Sequence, residues 1–222
     1  MNAKLKSSRL KKVLAMITFA AFLFAGCFVF IGEFRVWVQH FVYETIHPGV
    51  VGGRCDGCDA VNRYPEGKVL DDTDTLAAFA SGAGKKINVS GTVYKPNSAS
   101  PAPGVILYIY HTNNKGYYTD IKGWVKTDSL GRFSFYTIRP APYPGQSIPA
   151  HIHAVVKEPR INEYYISDFN FFDDPLLADF GQPANPRGGS GVLRAGPSLN
   201  GVQYYHRDIL LGLNIPNYNN RW

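Results

Sequence analysis

Two histidines one residue apart, in His151-Ile152-His153, are the sharpest chemical signal in the sequence. On a strand, residues i and i+2 face one side. The two imidazoles then stand side by side, roughly 6–7 Å apart at the backbone. That spacing suits two ligands of one metal ion, with Ile152 turned the other way into apolar packing. Alone, the pattern also fits exposed or hydrogen-bonded histidines. A second pair is Cys55 and Cys58, in Arg54-Cys55-Asp56-Gly57-Cys58. Outside the cytoplasm such a pair is most simply a short-loop disulfide. A metal site is an alternative, but it needs further ligands and only His47 is near. A redox pair is another, but it belongs at a helix start after a strand, and no such pattern surrounds it.

The elements that must position these groups read as strands. Ile87, Val89, Gly91 and Val93 alternate with Asn88, Ser90, Thr92 and Tyr94, a period of two. Val105 to Tyr110 is a continuous β-prone run, as expected for a central strand covered on both faces. Trp124 to Thr127 opens a further strand, and Asp128-Ser129-Leu130-Gly131 is a turn. Arg132 to Thr137, His151 to Val156, Tyr165 to Phe172 and Asp208 to Leu213 complete the set. Residues 173–203 are rich in Gly, Pro, Asn and Asp and read as a long loop. Several short strands at close spacing with turn signals predict an all-β, two-sheet sandwich of mostly antiparallel strands.

In its strand region the chain resembles the intradiol ring-cleavage dioxygenases, closest to the exported members that are like the β-subunit of protocatechuate dioxygenase. The matching pieces are Gly91-Thr92-Val93, the run from Val105 through His111 to Gly116-Tyr117-Tyr118, and Gly123-Trp124 with Thr127-Asp128. They continue with Gly131 to Phe135, Thr137 to Pro144, and Pro149-Ala150-His151-Ile152-His153. The resemblance implies a non-haem Fe(III) ion held by Tyr118, Tyr143, His151 and His153. The family's Gly-x-Tyr spacing selects Tyr118 over Tyr117, and leaves His111 a supporting or structural role. The donor chemistry is coherent. A free phenol has a pKa of about 10, and a trivalent cation stabilises its anion. Hard phenolate oxygen favours Fe(III). The implied reaction takes a small aromatic diol and dioxygen. It opens the ring between the two oxygenated carbons and gives a muconate-type diacid.

Two positions depart from the family pattern. Arg is usual just before Pro-Ala-His, where it supports charge on the substrate ring, and here the residue is Ile148. Such electrostatic support is worth about 3 kcal/mol. Arg139 and Arg160 are candidates to replace it in space. The family often carries Gln where this chain has Asp168, and an acid beside an anionic substrate is unfavourable unless protonated or paired. Thr119 to Gly123 reads as a short loop that widens the pocket mouth. These departures keep two alternatives open. One is a non-catalytic exported sandwich that binds iron or a catecholate ligand; the other is a transthyretin-like binding module.

Composition and charge bound the rest. The chain has 222 residues, 45% of them apolar, which excludes a mostly disordered protein. Fourteen Tyr, fourteen Phe, 22 Gly and 15 Pro favour strands and loops over a helix bundle. Five of the six net positive charges sit in the first twelve residues, at Lys4, Lys6, Arg9, Lys11 and Lys12. The near-neutral remainder offers no footprint for nucleic acid. The basic cluster instead precedes Val13 to Gly32, whose only polar side chains are Thr18 and Cys27. This reads as an export signal or membrane anchor with the remainder outside the cytoplasm. Leu23-Phe24-Ala25-Gly26-Cys27 resembles a lipobox, with Cys27 as the lipid carrier. The expected organisation is a signal or anchor over 1–32, a connector over 33–84 and the dioxygenase-like sandwich over 85–222. Relatives often form homo-oligomers, but no interface is legible here.

Overall fold

The structure, a computed structural model, describes residues 16–18, 20–21, 23–26, 32–47, 49–55, 57–96 and 98–218. The basic cluster and Cys27, and with them the lipid-attachment expectation, lie outside the described residues. The chain divides into two compact units, Met1–Gly49 and Val50–Trp222. In the first, helix α1 spans Gly32–Ile46, a helix the connector reading did not foresee. Phe34, Trp37 and Phe41 stack along it, with centroids 6.1 and 5.7 Å apart, as i, i+3 and i+4 neighbours do. Among the described residues, no helix is long and apolar enough to cross a membrane.

The second unit is the expected two-sheet sandwich. The first sheet has the order β1 (Thr73–Thr75), β5 (Arg132–Ile138), β2 (Lys86–Tyr94), β11 (Val202–His206), β10 (Ala195–Leu199), with β12 (Ile209–Leu210) also on β2. The second has the order β4 (Tyr118–Lys126), β3 (Ile106–Thr112), β6 (His151–Lys157), β8 (Phe169–Phe171), β9 (Val192–Leu193), with β7 (Tyr164–Tyr165) on β6. The central pairs β2–β5, β3–β4 and β3–β6 are antiparallel. Parallel pairs occur at β1–β5, β11–β2, β12–β2 and β8–β9. The sandwich is therefore mixed, with antiparallel pairs in the majority, as expected.

Alternation builds the core. Ile87, Val89 and Val93 of β2, Leu107 and Ile109 of β3, Phe133 and Phe135 of β5, and Ile152, Ala154 and Val156 of β6 all face the intersheet space. The outer face of the second sheet is covered as well. Cys58 and Val61, on a 3-10 turn over Cys58–Asn62, pack with Tyr108, Trp124 and Val155. Trp124 Nε1 donates to the Ala60 carbonyl at 3.1 Å. Central strand β3 is thus buried on both faces, in line with its continuous apolar run. The cover comes from residues that read as a connector: Val51, Leu76 and β1 all join the sandwich. Cys55 and Cys58 are disulfide-bonded.

Three other expectations need correction. Thr119 to Gly123 is strand, not loop, because β4 starts at Tyr118. Residues 173–203 hold a short helix α3 (Pro175–Phe180), β9 and the β10–β11 hairpin. Their Gly and Pro content hides edge strands, where Pro is tolerated. The Tyr165 to Phe172 strand is two short pieces, β7 and β8. A short helix α2 spans Ala77–Ala80.

Candidate metal centre

His151 and His153 project from β6 onto the outer face of the second sheet, while Ile152 between them is fully buried in the core. Each ring is fixed through Nδ1. The His151 Nδ1 lies 2.7 Å from the Pro149 carbonyl oxygen, and the His153 Nδ1 lies 2.8 Å from Asp168 Oδ1. A carbonyl and a carboxylate can only accept, so both Nδ1 atoms carry the proton. Both Nε2 atoms then present lone pairs, as metal-ligating imidazoles do. These Nε2 atoms stand 3.2 Å apart.

Tyr118 arrives through an irregularity in the β3–β4 hairpin. Tyr110 pairs with Lys122, and continuing that register would place Asp120 opposite Thr112. The register shifts and Tyr118 stands there instead, a use of bulges to re-aim a side chain. Tyr143 arrives on the loop between β5 and β6, stiffened by Pro140, Pro142 and Pro144. The two segments are stitched together. Ala141 N donates to the Asn113 carbonyl at 3.0 Å, and Thr112 Oγ1 donates to the Ala141 carbonyl at 2.9 Å. Gly116 makes the approach possible: its φ is +82°, and a Cβ there would lie 2.0 Å from the Pro142 carbonyl oxygen. At the other end of the loop, buried Asp174 accepts from Ala150 N at 2.9 Å and from Leu176 N at 2.9 Å. It thereby caps α3 and holds the start of β6.

The four expected ligands converge. Tyr118 Oη is 2.5 Å from Tyr143 Oη and 2.7 Å from His153 Nε2. Tyr143 Oη is 3.2 Å from His151 Nε2 and 3.4 Å from His153 Nε2. Tyr118 is 53% exposed, and its hydroxyl end contacts these partners. Desolvation there, then the hydrogen bond with Tyr143, push the phenol well above its ordinary value. Ionisation near neutrality therefore needs a cation among the four donors. Burial lowers the His151 pKa, with the Pro149 carbonyl opposing, which favours the neutral ligand form. Two phenol oxygens and two imidazole nitrogens are a hard, mixed O/N set, and this donor chemistry fits Fe(III).

Asp168 is close as well: His151, His153 and Asp168 present donor atoms within 4.8 Å of one another. It meets His153 at Nδ1, on the ring edge away from Nε2, so it braces the imidazole without joining the four donors. A cavity of about 320 Å³ borders His153, at the small end of ligand pockets and sufficient for one aromatic ring. Arg54, Cys55, Tyr110, Val155, Tyr165 and Asp168 line it. Arg139 and Arg160, the expected replacements for the missing cation, are elsewhere. Arg139 forms a bidentate pair with Asp173 at 2.8 and 2.9 Å, and Arg160 is exposed on the turn after β6. Arg54 is the arginine that lines the cavity, and the disulfide-loop reading gave no hint of that. His111 is buried away from the cavity. Its Nδ1 donates to the Thr112 carbonyl at 2.6 Å, and its Nε2 accepts from Thr137 Oγ1 at 2.8 Å. Tyr117 is 59% exposed.

A protein-family model described as a dioxygenase matches residues 62–186, more than half of the chain. The curated catechol 1,2-dioxygenase 1 of Acinetobacter lwoffii is 28% identical over 118 residues, 41% of this chain. That match spans 37% of the relative's own length. Among solved structures, the catechol 1,2-dioxygenase of Acinetobacter sp. ADP1 superposes with a TM-score of 0.53 at 17% identity, covering 95% of this chain and 86% of that one. The dioxygenase domain of a carbohydrate-binding fusion from Streptomyces sp. SirexAA-E gives 0.52 at 22%, covering 67% and 95%. At these identities the structural matches establish the fold, and the family model carries the assignment. With its strand order, its His-x-His strand and its paired tyrosines, the chain belongs to the intradiol ring-cleavage dioxygenase family.

Proposed function

We propose that this protein is a non-haem Fe(III) dioxygenase that opens a catechol-type ring between its two hydroxylated carbons. Both atoms of dioxygen end in the product, a muconate-type diacid. One observation carries the reading: Tyr118 Oη, Tyr143 Oη, His151 Nε2 and His153 Nε2 meet within hydrogen-bond distance of one another. These four residues would hold the ion. When bound, ferric iron supplies the positive charge that ionises phenols and the electronic coupling that lets an aromatic diol react with dioxygen.

The chain's own residues do the rest. Tyr118 and Tyr143 supply two anionic oxygens, and one of them can accept a catechol proton at Oη. The Pro149 carbonyl and Asp168 keep both Nδ1 protons in place. Tyr110 stacks on His153 with centroids 4.6 Å apart, which fixes the ring plane. A cavity lined by Tyr110, Tyr165 and Arg54 borders His153, one of the four ligands. Asp168 is paired with His153, so its charge is directed at the imidazole.

The same proposal places the sandwich outside the cytoplasm, tethered by the N-terminus. Five cations before an apolar run support that orientation, and the Cys55–Cys58 disulfide suits an oxidising compartment.

The test is oxygen consumption by the iron-loaded full chain on addition of a simple catechol. One dioxygen taken up per catechol, with the ultraviolet absorbance of a muconate-type product, is expected. Iron binding and a catechol-induced colour change without uptake would instead establish a non-catalytic binder.

A further inference from the structure

His153 is supported differently from His151. His151 leans on a backbone carbonyl, whereas His153 leans on a carboxylate. The register explains why. β6 pairs with β8 through His151↔Asn170 and Ile152↔Phe169, so the next residues in the ladder are His153 and Asp168. On the other side, β3 places Tyr110 opposite His153. Three adjacent strands thus present Tyr110, His153 and Asp168 in one row, with the imidazole between a stacked ring and a carboxylate.

The peptide that carries Asp168 is held from inside the sandwich. Arg207 is 3% exposed, its Nη1 donates to the Ser167 carbonyl at 2.7 Å, and its guanidinium lies 4.2 Å from the Phe169 ring centroid. It therefore grips the residues on either side of Asp168. Its Nε and Nη2 have no hydrogen-bond partner among the described residues. A buried cation so sparsely satisfied is costly, and a carboxylate of opposite charge one residue from its contacts offsets part of that cost. Gly191 lets the neighbouring backbone close on this peptide, since a Cβ there would lie 2.0 Å from the Asp168 carbonyl oxygen.

We propose that Asp168 is a positioning residue that acts through His153. Its carboxylate, accepting from Nδ1–H, makes His153 the more strongly donating of the two imidazoles and biases the centre toward the ferric state. The inference rests on the proposal that the four donors hold iron. A carboxylate behind a ligating imidazole raises its basicity, and removing such a partner typically lowers metal affinity or activity about 10–100-fold. The charge acts on the imidazole through a hydrogen bond, so an amide of the same shape preserves the orientation and removes the effect.

The test uses the full chain as wild type, Asp168→Asn and Asp168→Ala. The readouts are ferric affinity by chelator competition, the phenolate-to-iron absorption band, and the Fe(III)/Fe(II) potential. Asp168→Asn should keep iron stoichiometry and the far-ultraviolet circular dichroism of the iron-free protein. It should also lower ferric affinity about tenfold or more, move the band to longer wavelength and raise the potential. Asp168→Ala should lower affinity further, because the ring is also released. A wild-type band, affinity and potential in Asp168→Asn would overturn the proposal, as would equal effects of Asn and Ala. Colourless wild-type protein without iron would instead overturn the underlying metal assignment and this proposal with it, a failure visible before any variant is compared.

Discussion

The histidine half and the tyrosine half of the site are built by different means. His151 and His153 sit on β6, a central strand whose inner face is core and whose ladder partners are β3 and β8. Their geometry is set by pleat and register. Tyr118 and Tyr143 sit at a bulged strand start and on a proline-rich loop. Their geometry is set by a few backbone hydrogen bonds and by one glycine. The backbone positions of the first half can be lost only by disturbing the sandwich. The second can be lost while the sandwich stands. Chemistry placed on loops over a rigid sheet has this division in general, but here it runs through a single four-atom cluster.

Acid should break the rigid half with the largest effect. His111, buried on β3 between the Thr112 carbonyl and the Thr137 hydroxyl, has its pKa lowered to about 4, chiefly by burial. Between pH 6.5 and 4 the unfolded chain binds a proton at this residue that the folded chain does not. Stability therefore rises with pH in this window and is lost as pH falls through it. The drop from 6.5 to about 4 corresponds to about 3 kcal/mol. Urea midpoints of the iron-free protein at pH 7 and pH 4 measure it, and His111→Asn should remove that share of the acid sensitivity.

Gly116→Ala should break the loop half with a smaller cost. The new side chain meets the Pro142 carbonyl at a positive φ, a strain of about 2 kcal/mol. The Tyr143 loop and the Tyr118 hairpin must then part. The far-ultraviolet circular dichroism should stay that of the sandwich, while the capacity to form an iron–phenolate band is lost. Retention of the band in Gly116→Ala would show that the stitching does not govern the tyrosines.

The same division marks what the sequence makes legible. The runs that became β2 and β5 declare themselves by a period of two, and β3 declares itself by a continuous apolar run covered on both faces. His-x-His is visible because strand spacing alone puts both rings on one side. The tyrosines are different. Nothing local marks Tyr118 over Tyr117, and only a resemblance extending over many residues selected Tyr118 and Tyr143. Their convergence depends on a bulge, a glycine and a proline loop, none of which has a periodic signature.

Other contributions are long-range and have no local trace. Asp168 faces His153 only once β6 and β8 are in register. Arg54 reaches the cavity only because Cys55, Cys58 and Val61 pack against Tyr108, Trp124 and Val155. β10 is exposed along its whole length and contains Pro197, so no apolar alternation announces it.

The central claim is that these four side chains form one iron site. Iron content and the visible spectrum of the full chain, measured beside Tyr118→Phe, test it most directly. Tyr118→Phe loses the hydroxyl's contacts with Tyr143 and His153, a cost of about 1 kcal/mol that leaves the sandwich folded. The account expects one iron per chain with a phenolate-to-iron band in the wild type, and a weakened, displaced band with reduced iron in Tyr118→Phe. Equal iron content and an identical spectrum in the two proteins would contradict it.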